Sequence, residues 1–178
     1  MRAMGHKHAI LTLAALAAIG GGMAHAAQPA SALKGHDSSA PVDVAAQRIE
    51  VQDRADRVVF VGNVHATQAE LTLDTARLTV AYSSEGGIDI KRLDASGGVV
   101  VRSPSETARG DFAIYDLDRR LITVIGDVQL ERQGSRVSGS RLVIDLESGR
   151  AVIDGGAPGV GTNGGRVTGH FTVPRRNS

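Results

Sequence analysis

Two aspartates near the middle of the chain, Asp116 and Asp118, are the residues whose types and spacing best suit catalysis. A close pair of carboxylates is what general acid–base chemistry requires. The two flank a short turn, however, and at the equivalent turn further along the chain the sequence reads Asp145-Leu-Glu147. Because Asp side chains commonly hydrogen-bond to the backbone of tight turns, turn formation explains the pair better than catalysis.

The other residues that could take part in catalysis or metal binding are scattered along the sequence. Three histidines lie beyond position 26, and none has a second His, Cys or carboxylate at the spacing of metal ligands: His36, His65 and His170. We expect them to be surface or lead-in residues. The glycine-rich stretch Gly155–Gly165 lacks the Gly-Lys-Ser/Thr of a phosphate loop, and no Gly-x-Ser-x-Gly motif exists. The sequence therefore predicts no enzyme, no metal and no cofactor.

The elements that would position any functional side chain come from a repeat. A glycine, one spacer and a valine recur as Gly62-Asn-Val64, Gly97-Gly-Val99 and Gly126-Asp-Val128, with a degenerate copy at Gly155-Gly-Ala157. The second and third intervals are equal, and the first is slightly longer. Repeats of this length indicate stacked copies of one supersecondary unit. A glycine that recurs at one register of a strand favours a bulge where a long strand turns a corner.

Apolar residues alternate on both sides of each repeated glycine, which is typical of half-buried strands. Each such strand precedes a partner strand, at Leu71–Tyr82, Thr107–Asp116 and Arg136–Leu146, and a last strand is expected at Arg166–Val173. The pattern predicts an all-β fold of repeated antiparallel strands. First and last strands with open edges invite pairing with another chain.

The inward face of this stack is aliphatic. The whole chain has 3 Phe, 2 Tyr and no Trp, so it lacks the aromatic platforms of many sugar-binding domains. The direction of Phe112–Tyr115 stays open, because the repeat turns Ala113 and Tyr115 inward although Phe112 and Ile114 are also apolar. The side chains that would line a groove for a ligand, if the interior holds one, are the aliphatic and aromatic residues of the inward face: Val58, Phe60, Val64, Val99, Val101, Ile122, Val124, Val128, Leu130, Leu142 and Ile144.

Residues 1–26 have the form of a cleaved secretory signal. Arg2 and Lys7 precede a short apolar run, Ala9–Ile19, and Ala24-His-Ala26 has the small-x-small form of a cleavage site. The run is too short for a spanning helix, which needs about 20 apolar residues; an uncleaved anchor is the alternative. Beyond it we expect a flexible lead-in at 27–41, one domain at 42–175 and a tail at 176–178.

Without residues 1–26 the chain carries 18 Lys and Arg against 19 Asp and Glu. This balance argues against a nucleic-acid partner. The chain has no cysteine, so a secreted domain of this sequence must be held by backbone hydrogen bonds and apolar burial rather than by disulfides.

The Gly-x-Val unit, followed by Ala-Arg-Leu-Thr-Val, Gly-Asp-Phe-Ala-Ile-Tyr or Gly-Ser-Arg-Leu-Val-Ile, resembles the OstA-like domain of the lipopolysaccharide transport system of Gram-negative bacteria. The signal, the size and the closing Phe171-Thr-Val-Pro174 are similar to its soluble periplasmic member. The resemblance covers about Val42 to Arg175, and the long Gly155–Gly165 loop departs from it.

This resemblance implies a β-jellyroll shaped like a slightly open taco, with the acyl chains of lipid A between its sheets. The eleven inward-facing residues named above would then be the lipid-binding residues. It also implies a periplasmic bridge that conveys lipopolysaccharide from the inner to the outer membrane. Such domains would join head to tail, between an LptC-like inner-membrane subunit and an LptD-like outer-membrane translocon. Two alternatives stay open: an anchored LptC-like subunit of the same pathway, and a structural β module that bridges partners without a ligand.

Overall fold

The computed structural model describes Leu33, residues 35–156 and residues 165–172, and within them it contains ten β-strands. A short 3-10 turn, Asp53–Ala55, precedes the third strand. The strands are, in chain order, β1 Val42–Ala45, β2 Arg48–Gln52, β3 Arg57–Gln68, β4 Leu71–Ser83, β5 Asp89–Arg102, β6 Glu106–Asp116, β7 Leu121–Arg132, β8 Ser135–Asp145, β9 Arg150–Asp154 and β10 Thr168–His170. All of them pair antiparallel in one open sheet. The predicted all-β architecture of antiparallel strands is confirmed.

The repeated glycines lie at bulges, as the sequence predicts. In β3, β5 and β7 the register shifts at Gly62, Gly97 and Gly126, where φ is 84°, 86° and 83°. The residue after each glycine also has positive φ and is Asn63, Gly98 or Asp127. Glycine, asparagine and aspartate are the residues that enter this left-handed region most readily. The spacer of each Gly-x-Val unit is therefore as constrained as its glycine.

The bulges lie side by side across the sheet and form the line along which it folds over. One residue of the neighbouring strand lies opposite each bulge: Ala76 in β4, Asp111 in β6 and Ser140 in β8. The approach is close, since a Cβ added to Gly126 would overlap the side chain of Asp111. The glycine therefore provides both the backbone angle and the room.

The fold line divides the sheet into two layers of eight strand segments each. Layer one contains β2, the halves 57–61, 77–83, 89–96, 112–116, 121–125 and 141–145 of the long strands, and β9. Layer two contains β1, the halves 64–68, 71–75, 99–102, 106–110, 128–132 and 135–139, and β10. Short turns join the strands at the two rims, which face each other across the open side.

One apolar cluster fills the space between the layers. It includes side chains from both, such as Leu78, Val124 and Leu142 of layer one and Val64 and Val128 of layer two. All five are at most 1% exposed. Since consecutive residues of a strand point to opposite faces, the alternating apolar residues of each repeat reach this single interior.

The structure shows which side chains of β6 point into the interior. Ala113 is 6% exposed in the cluster and Tyr115 packs against it, whereas Phe112 is 52% exposed on the outer face. The register of the repeat therefore determines which face is inside. The outer face of β6 is therefore uncovered at Phe112.

Residues ahead of β1 also contact the sheet. We call Leu33 and residues 35–41 the strap. Leu33 belongs to the apolar cluster and is 2% exposed, and His36 is buried against Gln68 of layer two. This part of the expected flexible lead-in is therefore seated on the domain. The predicted signal at 1–26 and the tail at 176–178 lie outside the described residues.

Candidate functional site

The structure brings all eleven predicted lipid-binding residues into the interior between the layers. Eight are buried, and the other three pack against them while partly exposed: Val58, Phe60 and Leu130. They therefore form one continuous aliphatic surface. It is made by both layers and runs along the stack of strands.

Around β7 and β8 the interior side chains are closed off from solvent. Val124, Val128 and Leu142 are 0% exposed and Ile144 is 1% exposed. Val124 lies opposite Leu142 across the strand pair, and Ile122 lies opposite Ile144. These side chains hold the two layers together by close packing, as in the core of any β-sandwich.

A cavity lies on the other side of the stack, between β5–β6 of layer one and β3–β5 of layer two. Its volume is about 50 Å³, far below the roughly 300–1,000 Å³ of typical ligand pockets. Among its lining residues are the three alanines Ala66, Ala95 and Ala113. Of the eleven predicted residues, Val101 and Ile122 line it.

Sequence reasoning missed the alanines, although a signal for them exists. Ala95 and Ala113 occupy the positions at which Val124 and Leu142 stand in the next copy of the repeat. The smaller side chains leave room between the layers at the same register. Comparing volumes between copies of the repeat, rather than apolar character alone, would have located the cavity.

The strap lies at the mouth of this cavity. Gln68, which lines the cavity, donates from Nε2 to the carbonyl oxygens of Ser38 and Ala40 at 3.0 and 2.9 Å. Its Oε1 lies 3.0 Å from Nε2 of His36. Since the amide nitrogen faces two carbonyls, Oε1 is the acceptor, and Nε2 of His36 carries the proton.

The opposite wall of the mouth is Tyr115 of layer one. Burial raises the pKa of its hydroxyl, and the nearby Ser38 hydroxyl only partly offsets this. Neither hydroxyl forms a well-aligned hydrogen bond within the described structure. The strap therefore touches layer two through Gln68 and lies beside layer one at Tyr115.

The side of the stack formed by β1 and β2 exposes its apolar interior. Ile49 and Val51 of β2 lie opposite Phe60 and Val58, so they share the inward face. They are nevertheless 57% and 59% exposed, because no further strand follows among the described residues. The aliphatic surface thus continues to the end of the stack.

The rims carry charged residues joined in ion pairs. Lys91 lies 2.6 Å from Asp89 and 3.4 Å from Asp118, and the hydrogen bond with Asp89 is the main cause that raises the pKa of Lys91. Asp116 accepts a 2.9 Å hydrogen bond from the backbone of Arg119. Asp116 therefore stabilises the turn, as predicted, whereas Asp118 pairs with Lys91 of β5.

The histidines lie apart. His36 is buried under the strap, whereas His65 is on the outer face, 2.7 Å from a carboxylate oxygen of Asp74. In the part of the chain that the structure describes, no three His, Cys, Asp or Glu residues are arranged to hold a metal ion.

Comparison with known proteins connects this geometry to a family. Residues 43–150 match the family model of the LptA/LptD N-terminal-domain lipopolysaccharide transport proteins. An uncharacterized protein of Rhizobium meliloti (strain 1021) is 28% identical over 121 residues. That alignment covers 64% of this chain and 65% of the relative, which is less than two thirds of the relative's length.

Among solved structures, the chain is similar to LptH of Pseudomonas aeruginosa, described as the LptA-homologous periplasmic component of the lipopolysaccharide transport device. The TM-score is 0.67 at 16% identity, and the match covers 78% of this chain and 99% of LptH. The likeness confirms the predicted OstA-like jellyroll. The family consists of transport proteins, in agreement with the prediction that the chain is not an enzyme. Because the family model matches more than half of the length of this chain, the chain belongs to the LptA/LptD N-terminal-domain family of lipopolysaccharide transport proteins.

Proposed function

We propose that this protein binds lipopolysaccharide in the periplasm, holds the acyl chains of lipid A between its two layers and conveys the lipid from the inner to the outer membrane. One observation carries the proposal. A chain of a lipopolysaccharide transport family encloses a continuous aliphatic surface that reaches the end of its strand stack at Ile49 and Val51.

The energetic reason for such a surface is the cost of exposing acyl chains to water. Each buried methylene is worth about 0.8 kcal/mol, so several acyl chains would not cross an aqueous compartment unshielded at a useful rate. An aliphatic surface of constant register makes successive positions nearly equal in free energy. Net movement must then be driven by another component of the pathway.

Acyl chains would enter by separation of the layers at the open side. The cavity of about 50 Å³ is too small for even one long chain. At the fold line the layers are covalently continuous, whereas at the rims they meet through side chains and the strap. Opening at the rims leaves the backbone ladders intact, so it costs mainly side-chain contacts.

The edge strands favour head-to-tail association. Because the strand segments of each layer alternate in direction, β9 and β2 run oppositely, as do β10 and β1. The end of one copy would therefore continue the antiparallel ladder of the next in both layers. The lengths also match, with five residues in β9 and β2, and three and four in β10 and β1. An LptC-like subunit and an LptD-like translocon would meet the same two ends.

Periplasmic location would follow from cleavage of residues 1–26. No helix among the described residues has the length and apolar character needed to cross a membrane. Mass spectrometry of the protein from the periplasm tests this step. An N-terminus at Ala27 or Gln28 supports it, whereas an intact N-terminus in the membrane fraction supports the anchored LptC-like alternative.

Photo-crosslinking tests lipid binding with matched neighbours. A photoreactive residue at Ile122 or Val101 faces the cavity, whereas one at Thr123 or Val100 is on the opposite face of the same strand. We expect adducts with labelled lipopolysaccharide at the first two positions and none at the second two. Equal labelling of inner and outer positions would reject the interior as the binding site.

The narrow cavity favours one second candidate, a structural β module that bridges partners without a ligand. An added strand supplies backbone hydrogen bonds whatever lies between the layers. In that case the folded protein would form filaments that lengthen with concentration, yet would give no interior adducts.

A further inference from the structure

The strap joins the two rims across the open side. Gln68 of layer two holds it through three hydrogen bonds, to the carbonyls of Ser38 and Ala40 and to His36. On the other rim the Ser38 side chain lies beside Tyr115 of layer one. The strap therefore covers the mouth of the cavity at the side where acyl chains would have to enter.

Leu33 places an aliphatic side chain inside this cover. It is 2% exposed and belongs to the apolar cluster between the two layers. In chemical terms, a buried leucine side chain occupies aliphatic space of the kind an acyl chain needs. Both cannot fill the same space between the rims.

The seat of the strap is incompletely satisfied. Nδ1 of His36 is buried without a hydrogen-bond partner in the described structure, and the buried hydroxyls of Ser38 and Tyr115 lie side by side without a well-aligned hydrogen bond. The nearest carboxylate oxygen to Nδ1 of His36, on Glu70, is 3.8 Å away. Buried polar groups without partners oppose the seated state, and they regain hydrogen bonds to water when the strap leaves. The strap is thus held by Gln68 and Leu33 and loosened by these three groups.

We propose that the strap is a displaceable cover of the lipid-binding interior, which Leu33 keeps closed until an acyl chain replaces it. The proposal rests on the proposed function, since the competing ligand is an acyl chain of lipopolysaccharide. The strap ends at Pro41, directly before β1, and Val42 of β1 lines the cavity. Displacement of the strap therefore changes the contacts at the first edge strand as well.

The test combines binding kinetics with amide hydrogen exchange on the full chain. Lipopolysaccharide should increase exchange at the amides of His36 and Ala40, which bond to the carbonyls of Leu33 and Asp37 in the seated strap. Leu33→Ser should raise the association rate and affinity roughly tenfold, because the ligand no longer displaces a fully buried leucine. Gln68→Ala should act in the same direction.

Ser39→Ala is the matched control, since Ser39 is exposed on the same strap and its side chain bonds to Asp37 within the strap itself. It should leave the binding rate unchanged. If lipopolysaccharide binds the parent chain without raising exchange at His36 and Ala40, and Leu33→Ser and Gln68→Ala bind at the parental rate, the strap is not a cover. If neither the parent nor any folded variant binds lipopolysaccharide, the proposed function itself fails, and the cover with it.

Discussion

The copy of the repeat in β5–β6 and the copy in β7–β8 share one backbone geometry but differ in the volume of their inner side chains. Ala95 and Ala113 of the first correspond to Val124 and Leu142 of the second. The cavity lies at the alanines, whereas Val124 and Leu142 are 0% exposed in solid packing. One half of the stack therefore stabilises the fold by close packing, whereas the other half contains the cavity where a ligand would begin to enter.

The largest expected effect comes from giving the packed copy the alanine of the open copy. Leu142→Ala should lower the free energy of unfolding by about 2–5 kcal/mol, the usual cost of a cavity at a fully buried leucine. Denaturant unfolding measures it. Val143→Ala, which changes the next residue on the outer face, should cost clearly less. Equal losses would mean that the two halves do not differ in packing.

Each copy contains a bulge at its glycine, and a substitution there should have the next largest effect on stability. Gly126→Ala should cost about 2 kcal/mol or more, because alanine at φ 83° is strained and its Cβ would meet the side chain of Asp111. Gly86→Ala at φ 84° is the control, since nothing lies within 4 Å of its added Cβ. The same unfolding assay compares them. Equal costs would show that the close approach at the fold line contributes nothing.

The reverse exchange fills the cavity. Ala95→Val copies Val124 into the open repeat and should change stability by less than about 1.5 kcal/mol, since the added methyl groups enter existing space. Crosslinking of lipopolysaccharide from Ile122 should fall. Ala108→Val is the counterpart at a buried alanine (3% exposed) that does not line the cavity, where overpacking should cost about 1–3 kcal/mol. Undiminished crosslinking in Ala95→Val would separate the cavity from lipid entry.

The smallest expected effect on stability concerns the outer face, where the copies of the repeat differ in charge rather than in volume. Asp74 of β4 occupies the position of Arg109 in β6 and of Ser138 in β8. The hydrogen bond from His65 and the ion pair with Arg102 lower the pKa of Asp74 below 3.8. A lowered pKa stabilises the fold at pH above the unfolded value and loses that effect as pH falls through the folded one.

Asp74→Asn should therefore cost at most about 1 kcal/mol at pH 7, because the carboxylate is 41% exposed and screened by solvent. The difference from the parent should vanish as the pH falls below 3.8. Asp43→Asn serves as control at an exposed carboxylate of β1. A difference that persists at low pH would point to a packing role for Asp74 instead of a charge role.

Local features of the molecule could be predicted from the sequence, whereas contacts between residues far apart along the chain could not. The bulges at Gly62, Gly97 and Gly126 follow from residue type, since few side chains tolerate positive φ. The inward face follows from alternation on the other long strands, but at Phe112–Tyr115 alternation left the direction open, and only the structure places Ala113 and Tyr115 inside. The seating of His36 was not predicted, because it depends on Gln68, far along the chain, and no local pattern reports such a contact.

From sequence alone come the long strands of the repeat, the fold line and most of the aliphatic face, because each depends on backbone angles and on the two-residue period of a strand. The last strand is shorter than predicted, Thr168–His170 instead of Arg166–Val173. Tertiary structure alone decided that the face is buried at Leu142 and lines a cavity at Ala113, and that Leu33 is buried in the same apolar cluster. The volume between two layers depends on which side chains meet across it. That meeting is set only when the sheet folds over on itself.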